Sequence, residues 1–82
     1  MSGKYPKVIV FTTPSCPWCK RTKQYLQSRG VPFKEVNVAS NQRAAQDMIR
    51  KSGQEGVPQL WIGSSVVVGF NQPKIDRLLG LK

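Results

Sequence analysis

The sequence predicts one α/β domain over residues 1–82, ordered β-α-β-α-β-β-α, with a four-stranded mixed sheet and helices on both faces. Three observations lead there. The 82 residues suffice for one small core and no more. Short β-branched runs alternate with segments of helical periodicity. Gly and Pro punctuate the joins between them.

The elements follow in order. Val8-Ile9-Val10-Phe11 is a continuous apolar run, as expected of a strand buried on both faces. Thr12 to Ser15 reads as loop. From Pro17 to about Arg29 the pattern is helical, with Trp18, Thr22, Tyr25 and Leu26 near one face. Gly30 and Pro32 stop it. Phe33 to Val38 alternates and reads as the second strand. Ser40 or Asn41 can cap a helix running to about Ser52, with Ala44, Ala45, Met48 and Ile49 as its apolar side. Gly53 to Gly56 is loop. Gln59–Ile62 and Ser65–Val68 flank Gly63-Ser64, a hairpin signal. Gln72 to Leu79 is the last helix, with Ile75, Leu78 and Leu79 inward. Two strands joined by a helix should be parallel through a right-handed crossover, and the hairpin adds an antiparallel edge.

Composition narrows the function. Apolar and aromatic residues make up 39% of the chain, within the globular range. No apolar run approaches the roughly 20 residues that span a bilayer, and residues 1–7 lack the apolar stretch of a signal peptide. A cytoplasmic protein with no membrane partner is expected. Thirteen Lys and Arg face four Asp and Glu, with no His, for a net charge of +9. Histidine is therefore excluded as base or ligand. Residues 1–34 hold seven bases and no acid, Glu35 being the first carboxylate. Such a field favours acidic partner surfaces or anionic small molecules. No nucleic-acid motif or aromatic-lined basic patch accompanies the charge, so nucleic acid is not an expected partner.

The two cysteines, Cys16 and Cys19, are spaced C-x-x-C. Two thiols without His cannot complete a structural zinc site. A disulfide between such close neighbours closes a trivial loop and adds little stability. Reversible redox chemistry is the remaining reason for the pair, set against two ordinary buried thiols. The pair lies where strand one meets helix one. There the helix N–H groups and dipole favour a thiolate at Cys16, and Lys20, Arg21 and Lys23 add positive charge. Pro17 suits the first helical position. Cys19 falls about one turn on, a spacing that suits a disulfide. Cys16, first and more exposed, is the expected attacking thiol; Cys19 is the expected resolver.

The run Phe11-Thr-Thr-Pro-Ser-Cys-Pro-Trp-Cys-Lys20, then Gly56-Val57-Pro58-Gln59-Leu60, then Gly69-Phe70, resembles the glutaredoxin-like proteins of the thioredoxin superfamily over nearly the whole chain. The resemblance implies a thioredoxin-like fold and a dithiol–disulfide oxidoreductase without a tightly bound cofactor. Its substrates would be protein disulfides or glutathione mixed disulfides. It implies a cis Val57-Pro58 peptide facing Cys16, with the Val57 backbone pairing an extended substrate. Thr13, Pro14, Trp18, Lys20, Val57, Pro58, Gly69 and Phe70 are then the expected substrate-binding residues.

Two departures bear on the electron donor. Glutathione-using glutaredoxins carry Lys where Thr13 stands and Gly-Gly-x-Asp where Gly69-Phe70-Asn71-Gln72 stands. The Gly-Phe form is similar to small electron donors fed by thioredoxin reductase that serve ribonucleotide reductase. Glutathione and thioredoxin reductase thus remain alternative donors to a monomeric protein. A minor alternative is an iron–sulfur carrier holding a cluster between two subunits through Cys16. Thioredoxins proper keep a buried acid behind the cysteines; strand one here has none.

Several residues carry two readings. Trp18, between the cysteines, is expected to be exposed and to contact a partner, or else to pack partly on its helix. Phe70 rims the substrate groove or plugs the core. Lys20 and Arg21 meet an anionic group or form a solvated helix face. Thr12 and Pro14 shape the approach to Cys16, and Gly69 permits a close backbone approach. Trp61 is expected to pack on the sheet, and Arg50-Lys51 to be a solvated helix end.

Overall fold

A computed structural model describes residues 5–81, so the reading of residues 1–4 lies outside it. Its elements are β1 (Val8–Thr12), α1 (Pro17–Ser28), β2 (Lys34–Asn37), α2 (Gln42–Ser52), β3 (Gln59–Ile62), β4 (Ser65–Val68) and α3 (Gln72–Leu79). The predicted order holds. Both hairpin strands and the last helix have the expected bounds. β1 gains Thr12, which pairs with Asn37, and β2 is trimmed to four residues. Arg29 is the C-cap of α1 rather than its last residue, and Asn41, not Ser40, caps α2 by accepting the Ala44 N–H.

The sheet runs β2-β1-β3-β4. β1 is parallel to β2 and antiparallel to β3, and β3 is antiparallel to β4. Strand alternation then sorts the side chains. One face carries Val8, Val10, Leu60, Ile62 and Val67, which pack with Leu26 of α1 and with Ile75 and Leu79 of α3 into the main core. The other face carries Phe11, Gln59 and Trp61. Phe11 meets Trp61 edge-on at 4.7 Å, and Lys51 of α2 lies 5.0 Å from the Trp61 ring. Met48 is the buried residue of α2, whereas Ile49 stands exposed, so the apolar side is narrower than its periodicity suggests.

In α1 the buried stripe is Cys19, Thr22 and Leu26. Trp18 is 55% exposed, as expected of the residue between the cysteines, and so is not part of that stripe. Cys19 takes its place one residue along, three and seven residues before Thr22 and Leu26, the spacing of one helix face. Among the described residues no helix is long and apolar enough to cross a membrane.

Candidate active site

Cys16 is the N-cap of α1. Its extended backbone (φ −96°, ψ 108°) frees the side chain to turn back over the first turn, where Sγ accepts the Cys19 N–H at 3.1 Å. Pro17 occupies the first helical position, as expected. The Cys16 N–H donates to Thr13 O at 3.3 Å, closing the turn that leaves β1. Cys16 and Cys19 form a disulfide with Cα atoms 5.2 Å apart. Cys16 is half-buried, and Cys19 is 1% exposed.

Two clefts flank this turn. The first, of about 380 Å³, is lined by Thr12, Thr13, Pro14, Cys16, Cys19, Lys20, Lys23, Glu35 and Asn37. The second, of about 290 Å³, is lined by Trp18, Val57, Pro58, Gly69 and Phe70. The expected substrate-binding residues are therefore divided. Thr13, Pro14 and Lys20 share the first cleft with both cysteines, while Trp18, Val57, Pro58, Gly69 and Phe70 form a separate apolar groove. Lys20 and Arg21 also part company: Lys20 faces the first cleft, and the Arg21 guanidinium lies 5.3 Å from the Trp18 ring.

The Val57-Pro58 peptide is cis. Gly69 has φ +79°, which disfavours a side chain. A Cβ there would meet nothing within 4 Å. The glycine thus serves a left-handed turn within the chain, rather than relieving crowding by neighbouring atoms. That turn lets the Gly69 N–H donate to Pro58 O at 2.8 Å, joining the two loops of the groove.

Phe70 has contacts on two sides. It packs against the main core and also walls the groove. Its ring lies 6.2 Å from Trp18 and 5.7 Å from Tyr25. The Tyr25 hydroxyl donates to Asp76 of α3, which fixes α1 against α3 behind Phe70. Burial and the Asp76 carboxylate push the Tyr25 hydroxyl up from its ordinary value, while Gln72 acts in the opposite sense.

The sequence reading missed Glu35. The parallel register places it beside Val10, and its Oε2 accepts from Thr12 Oγ1 at 2.8 Å and from Lys23 Nζ at 2.9 Å. An acid absent from β1 thereby reaches the Cys19 cleft from β2. The Lys23 hydrogen bond, then the Thr12 hydroxyl, holds its carboxyl below the ordinary value of 4.5, against the opposing effect of burial. Its side chain is 41% exposed, so it is an ionised cleft residue and not a buried acid. Because the folded value is depressed, its stabilisation is present above pH 4.5 and is lost as pH falls through the folded value. The melting temperatures of the parent and Glu35→Gln should differ at pH 7 and converge below pH 4.5. A gap that persists at acid pH would contradict this. The period-two pattern of β2 was the available signal, but only the parallel register with β1 brings it to the cleft of the cysteines.

Among the described residues no group of three or more Cys, His, Asp or Glu side chains converges as a metal site would require.

The family model described as Glutaredoxin matches residues 8–67. The chain belongs to the glutaredoxin family. It is 44% identical to a glutaredoxin-like 8.6 kDa protein in the rubredoxin operon of Clostridium pasteurianum, over 88% of this chain and 96% of the relative. It is 42% identical to a glutaredoxin of Pseudomonas aeruginosa, over 90% and 96%. Among solved structures it resembles NrdH-redoxin of Escherichia coli, described as a glutaredoxin-like protein with a thioredoxin-like activity profile. That match has a TM-score of 0.79 and 29% identity and covers 88% of this chain and 93% of the other. As a glutaredoxin with a C-x-x-C pair, the chain is a thiol–disulfide oxidoreductase.

Proposed function

We propose that this glutaredoxin reduces disulfides of proteins, drawing electrons from a flavin disulfide reductase of the thioredoxin reductase kind. The carrying observation is the second groove. Trp18, Val57, Pro58, Gly69 and Phe70 bring no charged side chain to it. Glutathione, with an amine and two carboxylates, would find no charge pairing there. An apolar stretch of polypeptide beside a cystine fits it better. The Val57 N–H and C=O have no partner among the described residues, which suits pairing with an extended substrate backbone. The thioredoxin-like profile stated for NrdH-redoxin supports the same reading.

In this reading the half-buried Cys16 is the attacking thiolate, favoured by the Cys19 N–H and the end of the helix. Its sulfur bonds to one sulfur of the target disulfide. The other leaves as a thiolate and takes a proton from water. Cys19 then loses its proton and bonds to Cys16 sulfur, which releases the second target thiolate. Two electrons have passed to the target, and the Cys16–Cys19 disulfide holds the oxidised state. Thr13, Pro14 and Lys20 border the approach to Cys16. The domain needs no tightly bound cofactor, acts as a monomer, and works in the cytoplasm, where a reducing supply keeps the dithiol available. Its net charge of +9 favours acidic surfaces around the target cystine.

The test is NADPH consumption by the oxidised protein with two supplies, thioredoxin reductase in one and glutathione with glutathione reductase in the other. Turnover is expected with thioredoxin reductase and insulin as acceptor. Turnover with the glutathione supply alone would overturn this donor assignment and make the protein glutathione-dependent despite Thr13 and Gln72.

A further inference from the structure

Gln59 opens β3 and is 0% exposed. It lies on the sheet face with Phe11 and Trp61, where an apolar residue would ordinarily serve. Its Nε2 donates instead to Gln54 O and Gly56 O, both at 2.8 Å. One amide thus holds two carbonyls of the loop that leads from α2 to Val57. Its Oε1 is buried without a partner among the described residues. Leaving a buried acceptor unmet is unfavourable, so packing alone does not explain an amide here. On the far side of the cis peptide the Gly69 N–H holds Pro58 O at 2.8 Å. The segment Val57-Pro58 is therefore fixed from both ends, while the Val57 peptide groups stay open.

We propose that Gln59 is a positioning residue for substrate: its amide fixes Gly56 and Val57 so that the open Val57 peptide edge stands ready at the groove. The assignment rests on the reading that Val57 pairs with an extended substrate backbone. Gln59 touches neither substrate nor the cysteines in this role. Its effect is on docking and not on the sulfur chemistry, so KM should change while kcat does not.

The experiment compares the full chain with Gln59→Met, similar in size but without donors, and Gln59→Glu, whose carboxylate would face both carbonyls. Three measurements are made: amide order parameters at Gly56 and Val57, KM and kcat for insulin reduction, and the rate at which iodoacetamide alkylates reduced Cys16. The order parameters should fall from about 0.85 toward about 0.6 as the loop is released. KM should rise about tenfold in Gln59→Glu, where two hydrogen bonds are lost and the carboxylate also repels both carbonyls, and less in Gln59→Met, where the bonds are only lost. The values of kcat and of the alkylation rate, which needs no groove, should stay within about twofold. Gln59→Met carries the test if Gln59→Glu does not fold. Unchanged order parameters would overturn the proposal, as would an equal fall in alkylation rate, which marks general loosening. Released order with an unchanged KM would also overturn it, by removing the Val57 docking on which it rests.

Discussion

Cys16→Ser should abolish disulfide reduction, a loss of roughly a thousandfold or more, because a hydroxyl at ordinary pH supplies no anion comparable to a thiolate. The geometry makes the two cysteines unequal. Cys16 is half-buried at the helix end with its sulfur on the Cys19 N–H, and Cys19 is sealed behind it. Cys19→Ser should therefore leave the first attack intact and stop the second. Covalent complexes with protein targets should accumulate, visible on non-reducing gels and dissolved by dithiothreitol. The same complexes should be absent from Cys16→Ser. Full turnover on insulin by Cys19→Ser would show that Cys19 is not the resolver. Covalent complexes formed by Cys16→Ser would reverse the two roles.

Leu60→Ala should have the largest effect on stability. Leu60 is 0% exposed at the middle of the sheet, paired with Val10 on one side and Val67 on the other, both buried. Removing its side chain leaves a cavity that two flanking strands and the covering helices cannot readily close. The cost is about 2–5 kcal/mol, against a total stability of about 5–15 kcal/mol for a typical domain. Each kcal/mol moves the midpoint of so small a domain by about 4–8 °C. Thermal unfolding followed by circular dichroism should therefore shift down by some tens of degrees, on the order of 10–30 °C. Val68→Ala, on the exposed end of the adjacent strand, is the control and should stay within about 0.5 kcal/mol. Equal shifts in the two variants would mean that Leu60 is not at the centre of the core.

The elements were legible because their signals are local. β-Branched runs mark β1 and β4, Asn41 and Gly53 delimit α2, and Gly63-Ser64 turns the hairpin. The Cys pair was legible for the same reason: three residues of separation at a helix start fix both spacing and polarity. Element ends were less so. Asn41 prevails over Ser40 because its side chain reaches the Ala44 N–H at 3.0 Å, a matter of one residue's geometry. Trp18 is exposed, as its place between the cysteines predicts, but periodicity alone put it on the face of Thr22 and Leu26, where the buried stripe instead begins at Cys19.

By itself, then, the sequence determined the seven-element order, the basic and histidine-free chemistry, and a cysteine pair at the mouth of α1. Tertiary structure decided what surrounds that pair. Thr12 meets Glu35 across 23 residues of chain, and Tyr25 meets Asp76 across 51. Neither contact follows from periodicity, because each depends on strand register and on how two helices lie on one face. The division of the expected binding residues into a polar cleft and an apolar groove is also tertiary, since one turn of helix presents Cys19 and Trp18 in different directions. The hold of Gln59 on the loop before Val57 is shorter in sequence, but it depends on the burial of that side chain, which keeps its amide on those carbonyls and away from water. Local forces choose the elements; the packing of the sheet chooses which side chains meet.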